Sequence, residues 1–211
     1  MTWIFPMAVA GVIALLDWWA VGTDRRGIER WAKPAVMVFL IVAAVLIPAE
    51  SDWIRWWIVI GLAFGLVGDV LLFADRFIPG AAAFLVGHLA YVAALVAVAQ
   101  EPRRLLVGAV IVLLVAVFVG RQIVAGAWRR SLVLGGIVAA YMLVIGLVVV
   151  LAVGSSSMVA AIAALLFLTS DALLAWGRFV GSTPGGRVTV MVTYQLAQAG
   201  FVLAIPTLAM A

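Results

Sequence analysis

Runs of about 20 apolar residues follow one another along the whole chain, and the charged residues fall almost entirely between them. A run of that length matches the thickness of a bilayer's hydrocarbon core when it is helical. Continuous rather than alternating hydrophobicity argues against a transmembrane barrel. With 68% hydrophobic and 10% charged residues and a mean hydropathy of +1.31, no soluble domain of appreciable size is left over. The expected fold is therefore all-α: one polytopic transmembrane domain over residues 1–211 with eight transmembrane helices. The first run lacks the basic flank of a signal peptide and is expected to be a retained helix. Without cysteine, disulfides and thiolate chemistry are excluded.

The eight spans are expected at about Trp3–Val21, Pro34–Ile47, Trp53–Ala74, Gly80–Ala99, Leu105–Gly120, Ser131–Val153, Met158–Trp176 and Val188–Leu208. Pro34, Pro48, Pro79, Pro102 and Pro184 sit at these boundaries, and Ser51 and Asp52 are candidate caps for the third span. Of the thirteen basic residues, ten lie at the ends of the odd-numbered loops: Arg25, Arg26, Arg30, Lys33, Arg76, Arg121, Arg129, Arg130, Arg178 and Arg187. Only Arg55, Arg103 and Arg104 lie on the other side. Positive residues favour the cytoplasmic side, so both termini are expected outside. The formal charge of +4 reflects topology and not nucleic-acid binding. The nine tryptophans fall at the two expected interfaces. Arginine far outnumbers lysine, and alanine and valine are abundant, which points to a bacterial plasma membrane and GC-rich coding DNA.

Inside the third and seventh runs the same pattern appears twice, Asp-x-Leu-Leu-x-x-x-Arg-Phe, at Asp69–Phe77 and Asp171–Phe179. The offset is 102 residues (171 − 69), and four spans separate the copies, so both run in the same direction. Such an echo suggests two four-helix halves related by a parallel repeat. A carboxylate inside a span is costly, which makes Asp69 and Asp171 functional candidates. Helical rise puts each roughly 10 Å in from the cytoplasmic end. His88 and Tyr91 in the fourth span, and Tyr194, Gln195 and Gln198 in the eighth, reach similar depths. Gly61, Gly65 and Asp69 follow at steps of four residues, so Asp69 projects from a face built for close helix approach. Asp17, beside Trp18 and Trp19, reads as interfacial, with Lys33 as its partner across the loop. Tyr141 reads as an interhelical hydrogen-bonder. From these residues alone, catalysis, proton-coupled transport and structural hydrogen bonding all stay open.

Five short motifs, in order, resemble those of the lysoplasmalogenase family, also called the YhhN-like membrane proteins. They are Lys33-Pro34, Gly68-Asp69-x-Leu-Leu, Phe77-x-x-Gly80-x-x-x-Phe84-x-x-Gly87-His88-x-x-Tyr91, Ser170-Asp171 and Tyr194-x-x-Ala197-Gln198. The resemblance implies an eight-helix hydrolase that cleaves the vinyl ether bond of lysoplasmalogens to a fatty aldehyde and a glycerophospho-ethanolamine or -choline. It implies Asp69 and Asp171 as the catalytic pair, with His88, Tyr91, Tyr194, Gln195 and Gln198 around the reacting atoms. Lys33, at the cytoplasmic mouth, would meet the lysophospholipid phosphate. No metal or cofactor is required by that chemistry. An intramembrane aspartyl protease also uses two aspartates on neighbouring helices, one of them after a glycine. The His, Tyr and Gln cluster fits that reading less well.

Overall fold

In a computed structural model, which describes residues 2–209, the regular elements of the described residues are all helical. Eight long helices alternate in direction: α1 (Ile4–Gly22), α2 (Arg26–Leu46), α3 (Asp52–Phe73), α4 (Phe77–Val96), α5 (Pro102–Trp128), α6 (Leu132–Gly154), α7 (Met158–Phe179) and α8 (Gly186–Ala204). Seven of them are long and apolar enough to cross a membrane, and α2 is the exception. Its first two turns carry Arg26, Glu29, Arg30 and Lys33, and only the part from Pro34 onward is apolar.

The helix ends follow local chemistry. Ser51 Oγ accepts from the Ile54 amide at 3.4 Å, Glu101 from the amides of Arg103 and Arg104, and Ser157 from that of Ala160. The turns after α1 and α3 are alike. Asp24 and Asp75 each take a left-handed conformation, both with φ of 58°. The following amide then bonds back to the last helical turn: Arg25 to the Ala20 carbonyl at 2.8 Å, and Arg76 to Leu71 at 2.9 Å. This is a Schellman-type ending in which aspartate takes the place of glycine.

Two boundaries differ from expectation. α2 begins at Arg26, eight residues before Pro34, which lies inside it. A proline there removes only the bond to the carbonyl of Arg30, and the turn at Asp24 has already started the helix. α5 does not stop at Gly120. It passes through a π-helical turn at Ala116–Gly120 and runs on to Trp128, so Arg121 is helical rather than in a loop. Gln122 donates to the Phe118 carbonyl at 2.7 Å within that stretch.

The closest pairings are α3 with α4, α7 with α8, α1 with α2 and α5 with α6. α4 packs on α6, and α8 packs on α1 and α2. The core gathers around Phe167, Phe201, Tyr91 and Tyr194, with Tyr91 stacked on Phe201 at 4.3 Å between centroids. α5 is the least enclosed span: 17% of its most apolar stretch is buried, against 33–50% for the other six. It packs on α6, touches α7 through its C-terminal part, and forms one wall of a cleft.

Candidate active site

Asp69 is held from two sides. Lys33 Nζ lies 2.8 Å from its Oδ1, and the Tyr194 hydroxyl donates to its Oδ2 at 2.8 Å. The Lys33 ammonium also lies 5.4 Å from the centre of the Tyr194 ring. Gln198 Nε2 donates to the Tyr194 hydroxyl at 3.3 Å, and the Tyr91 hydroxyl donates to Gln198 Oε1. The chain of contacts therefore runs α2, α3, α8, α4. It is possible because α3 presents glycines beside Asp69. A side chain at Gly65 would come within 2.7 Å of Gln198 Nε2 and 3.2 Å of the Tyr194 hydroxyl, and one at Gly61 would overlap the Tyr91 ring. The glycine face expected from the four-residue spacing is thus the face on which this network is built.

Asp171 has a different set of neighbours. The Tyr141 hydroxyl donates to its Oδ2 at 2.7 Å, and His88 Nε2 stands 3.5 Å from the same oxygen. The Phe84 carbonyl, 2.7 Å from His88 Nδ1, can only accept, so Nδ1 carries a proton. Nε2 makes no hydrogen bond and faces the Asp171 carboxyl. No lysine or arginine among the described residues pairs with Asp171.

The two carboxyls do not share a partner. Between their networks stands Phe167, 4.5 Å from the His88 ring and 5.6 Å from that of Tyr194, centroid to centroid. Each carboxyl also has its own opening. A narrow cleft reaches Asp171 and Tyr141 between α4, α5, α6 and α7, lined otherwise by Leu72, Phe84, Val119, Ile145 and other apolar side chains. A second, more polar opening leads to Asp69 past Glu29, Arg30 and Lys33. A hydrocarbon chain suits the first and water suits the second.

Of the residues expected around the site, Asp69, Lys33, Tyr194, Gln198 and Tyr91 form one network, and Asp171 and His88 belong to the other. Gln195 joins neither. It donates to Asp17 Oδ2 at 2.7 Å and accepts from Trp18 Nε1 at 2.7 Å, on the far side of α8. Asp17 is accordingly not interfacial: it is fully buried, and its hydrogen bond goes to Gln195 rather than to Lys33. Tyr141 is the residue whose place at Asp171 the spacing argument missed, because α6 is apolar all round and offers no face to read. Lys33, expected to meet a phosphate, is engaged by Asp69, and its side chain is 16% exposed. Among the described residues no three His, Asp or Glu side chains are grouped to hold a metal ion.

Residues 28–205 match the model of the YhhN family. The chain is also 29% identical over 206 residues to a protein described as lysoplasmalogenase TMEM86B of Mus musculus, covering 93% of this chain and 83% of the mouse protein. No solved structure matches it.

Proposed function

Because the chain belongs to the YhhN family, we propose that it is a membrane-embedded hydrolase that cleaves the vinyl ether bond of lysoplasmalogens, with Asp171 as proton donor and Asp69 as a fixed negative charge. The similarity to a mouse lysoplasmalogenase supports the reaction class. The observation that carries the assignment of roles is the cleft: one carboxyl, with a tyrosine and a histidine on it, stands in a space otherwise lined by hydrocarbon. That is where the vinyl ether of a single-chain lipid would lie, between its polar and apolar ends.

A vinyl ether hydrolyses through protonation of the carbon β to oxygen. A carboxylic acid in apolar surroundings is suited to that step. The proton leaves Asp171 and forms the new C–H bond, and the positive charge passes to the oxocarbenium ion. The newly formed Asp171 carboxylate, still held by the Tyr141 hydroxyl, stabilises that cation at short range. Water adds to the cationic carbon and loses a proton, for which the facing pair of His88 Nε2 and the Asp171 carboxylate is the acceptor. The resulting hemiacetal breaks its bond to the glycerol oxygen. That oxygen takes a proton from the same pair while the hemiacetal hydroxyl gives its proton back to it, which regenerates the Asp171 acid, and the products are a fatty aldehyde and an alcohol.

Asp69, ion-paired with Lys33, remains a carboxylate through the cycle. Through Tyr194, Gln198 and Tyr91 it holds a polar network that faces the Asp171 site across Phe167. The ten-to-three distribution of cations supports a cytoplasmic position for both openings and outside termini in a bacterial plasma membrane.

The test is aldehyde release by purified protein from a synthetic lysoplasmalogen, beside its ester-linked counterpart. Aldehyde from the alkenyl lipid and no fatty acid from the ester is the expected result. Fatty acid from the ester, or no product from either, would overturn the reading.

A further inference from the structure

At the arginine-rich end of the bundle, the apolar cleft that holds Asp171 shares Phe77, Ile78, Leu134 and Phe179 with a shallower, more polar recess. Arg130, Arg178 and Asp75 also line that recess. Phe77 and Phe179 are the two phenylalanines that close the repeated motif, and they meet edge to face at 6.0 Å between centroids. Each carries a guanidinium: Arg178 lies 4.9 Å from the Phe77 ring and Arg130 5.4 Å from the Phe179 ring.

These arginines differ from several others in the chain. Arg187 is neutralised by Glu29 and Asp24, Arg55 by Asp52 and Arg104 by Glu101. Among the described residues neither Arg130 nor Arg178 is within salt-bridge distance of a carboxylate, Asp75 included. A guanidinium stacked on an aromatic ring is held in place while its N–H edge stays free for a flat, bidentate contact with an oxyanion. Asp75, fixed by its left-handed turn, supplies one negative charge at the same recess.

We propose that this recess is the headgroup site of the substrate: Arg130 and Arg178 bind the phosphate diester of a lysophospholipid, and Asp75 binds its ammonium group. The inference rests on the hydrolase reading above and deepens it by naming the residues that hold the headgroup. Helical rise separates Asp171 from Arg178 by about 10 Å along α7. A glycerol bridge and phosphate, together with the reach of an arginine, cover that distance. With the phosphate in the recess, the sn-1 vinyl ether lies beside Asp171 and the hydrocarbon continues along Val115, Val119 and Ile145. The phosphate thereby sets the depth at which the chain is protonated, a task for which Lys33, spent on Asp69, is not available.

The experiment compares steady-state kinetics on three substrates sharing one alkenyl chain: alkenyl-glycerophosphoethanolamine, alkenyl-glycerol-3-phosphate and alkenylglycerol. The variants are Arg130→Gln, Arg178→Gln and Asp75→Asn, with Arg129→Gln as a neighbouring-cation control. Each arginine variant is expected to raise KM about tenfold or more for both phosphate substrates, as loss of a charge-assisted contact would. The KM for alkenylglycerol should move far less. Asp75→Asn should raise KM for the phosphoethanolamine lipid and not for the glycerol-3-phosphate. An equal change on all three substrates, the same effect from Arg129→Gln, or no change at all would overturn the site, leaving the arginines as anchors to bulk lipid. Were wild type to release no aldehyde from any alkenyl lipid, the reaction would fail and the site would be judged by binding. Ester-linked lysophosphatidylethanolamine retained by wild type in native mass spectrometry and lost from the double arginine variant would uphold it; no binding to wild type would overturn it.

Discussion

Asp69 and Asp171 occupy the same place in the same motif, and each lies on a helix whose next partner in sequence packs tightly against it. Each accepts from a tyrosine hydroxyl, but their other surroundings differ. Asp69 has a lysine, a tyrosine and the glutamine behind it, and opens to a polar recess. Asp171 has a tyrosine and a histidine, no cation from lysine or arginine among the described residues, and opens to hydrocarbon. A repeated motif therefore fixes depth and direction, while the chemistry of each copy is decided by the helices that face it: α2 and α8 for Asp69, α4 and α6 for Asp171. Two carboxyls whose environments differ in this way are suited to opposite roles in one reaction.

The comparison can be broken or sharpened by substitution. The largest effect is expected from Asp171→Asn, a loss of about 10³-fold or more in kcat with the thermal transition unchanged, because a general acid is removed and no ion pair is broken. Asp69→Asn should lower kcat and also stability, by about 2 kcal/mol in a denaturation experiment, since Lys33 is left nearly buried without its partner. Adding Lys33→Met to that variant should restore the stability and not the activity. Recovery of both would reduce Asp69 to a structural role. Tyr141→Phe should cost about tenfold to a hundredfold in kcat, and Tyr194→Phe less, since Asp69 keeps Lys33 whereas Asp171 keeps only the longer approach of His88. The smallest effect is expected from Val119→Trp, which fills the cleft wall on α5. It should raise KM by a few-fold for long alkenyl chains and leave short chains unaffected, as an obstructed hydrocarbon site requires.

The eight helices were legible because a bilayer imposes both length and hydropathy on every span. Their ends were less so. Arginine can lie along a helix and still reach the interface, so Arg26, Arg30 and Arg121 look like loop residues while being helical. The depth of the polar groups could be read from helical rise alone, and it brought Asp69, His88, Tyr91, Asp171, Tyr194 and Gln198 to two adjoining networks. Which network each would join could not be read, because that depends on how each helix is rotated against its neighbours. Gln195 shows the limit. It is one residue from Tyr194, turned by about 100° on the helix, and so faces Asp17 and Trp18 instead. Tyr141 shows the converse, a decisive neighbour on a helix with no polar stripe to reveal it.

The most direct measurement is single-turnover aldehyde release from a lysoplasmalogen by wild type, Asp171→Asn and Asp69→Asn side by side, each checked for an intact fold by its circular dichroism. The expected result is no release above background from folded Asp171→Asn and strongly reduced, measurable release from Asp69→Asn. Near wild-type release from Asp171→Asn would contradict the division of roles between the two aspartates.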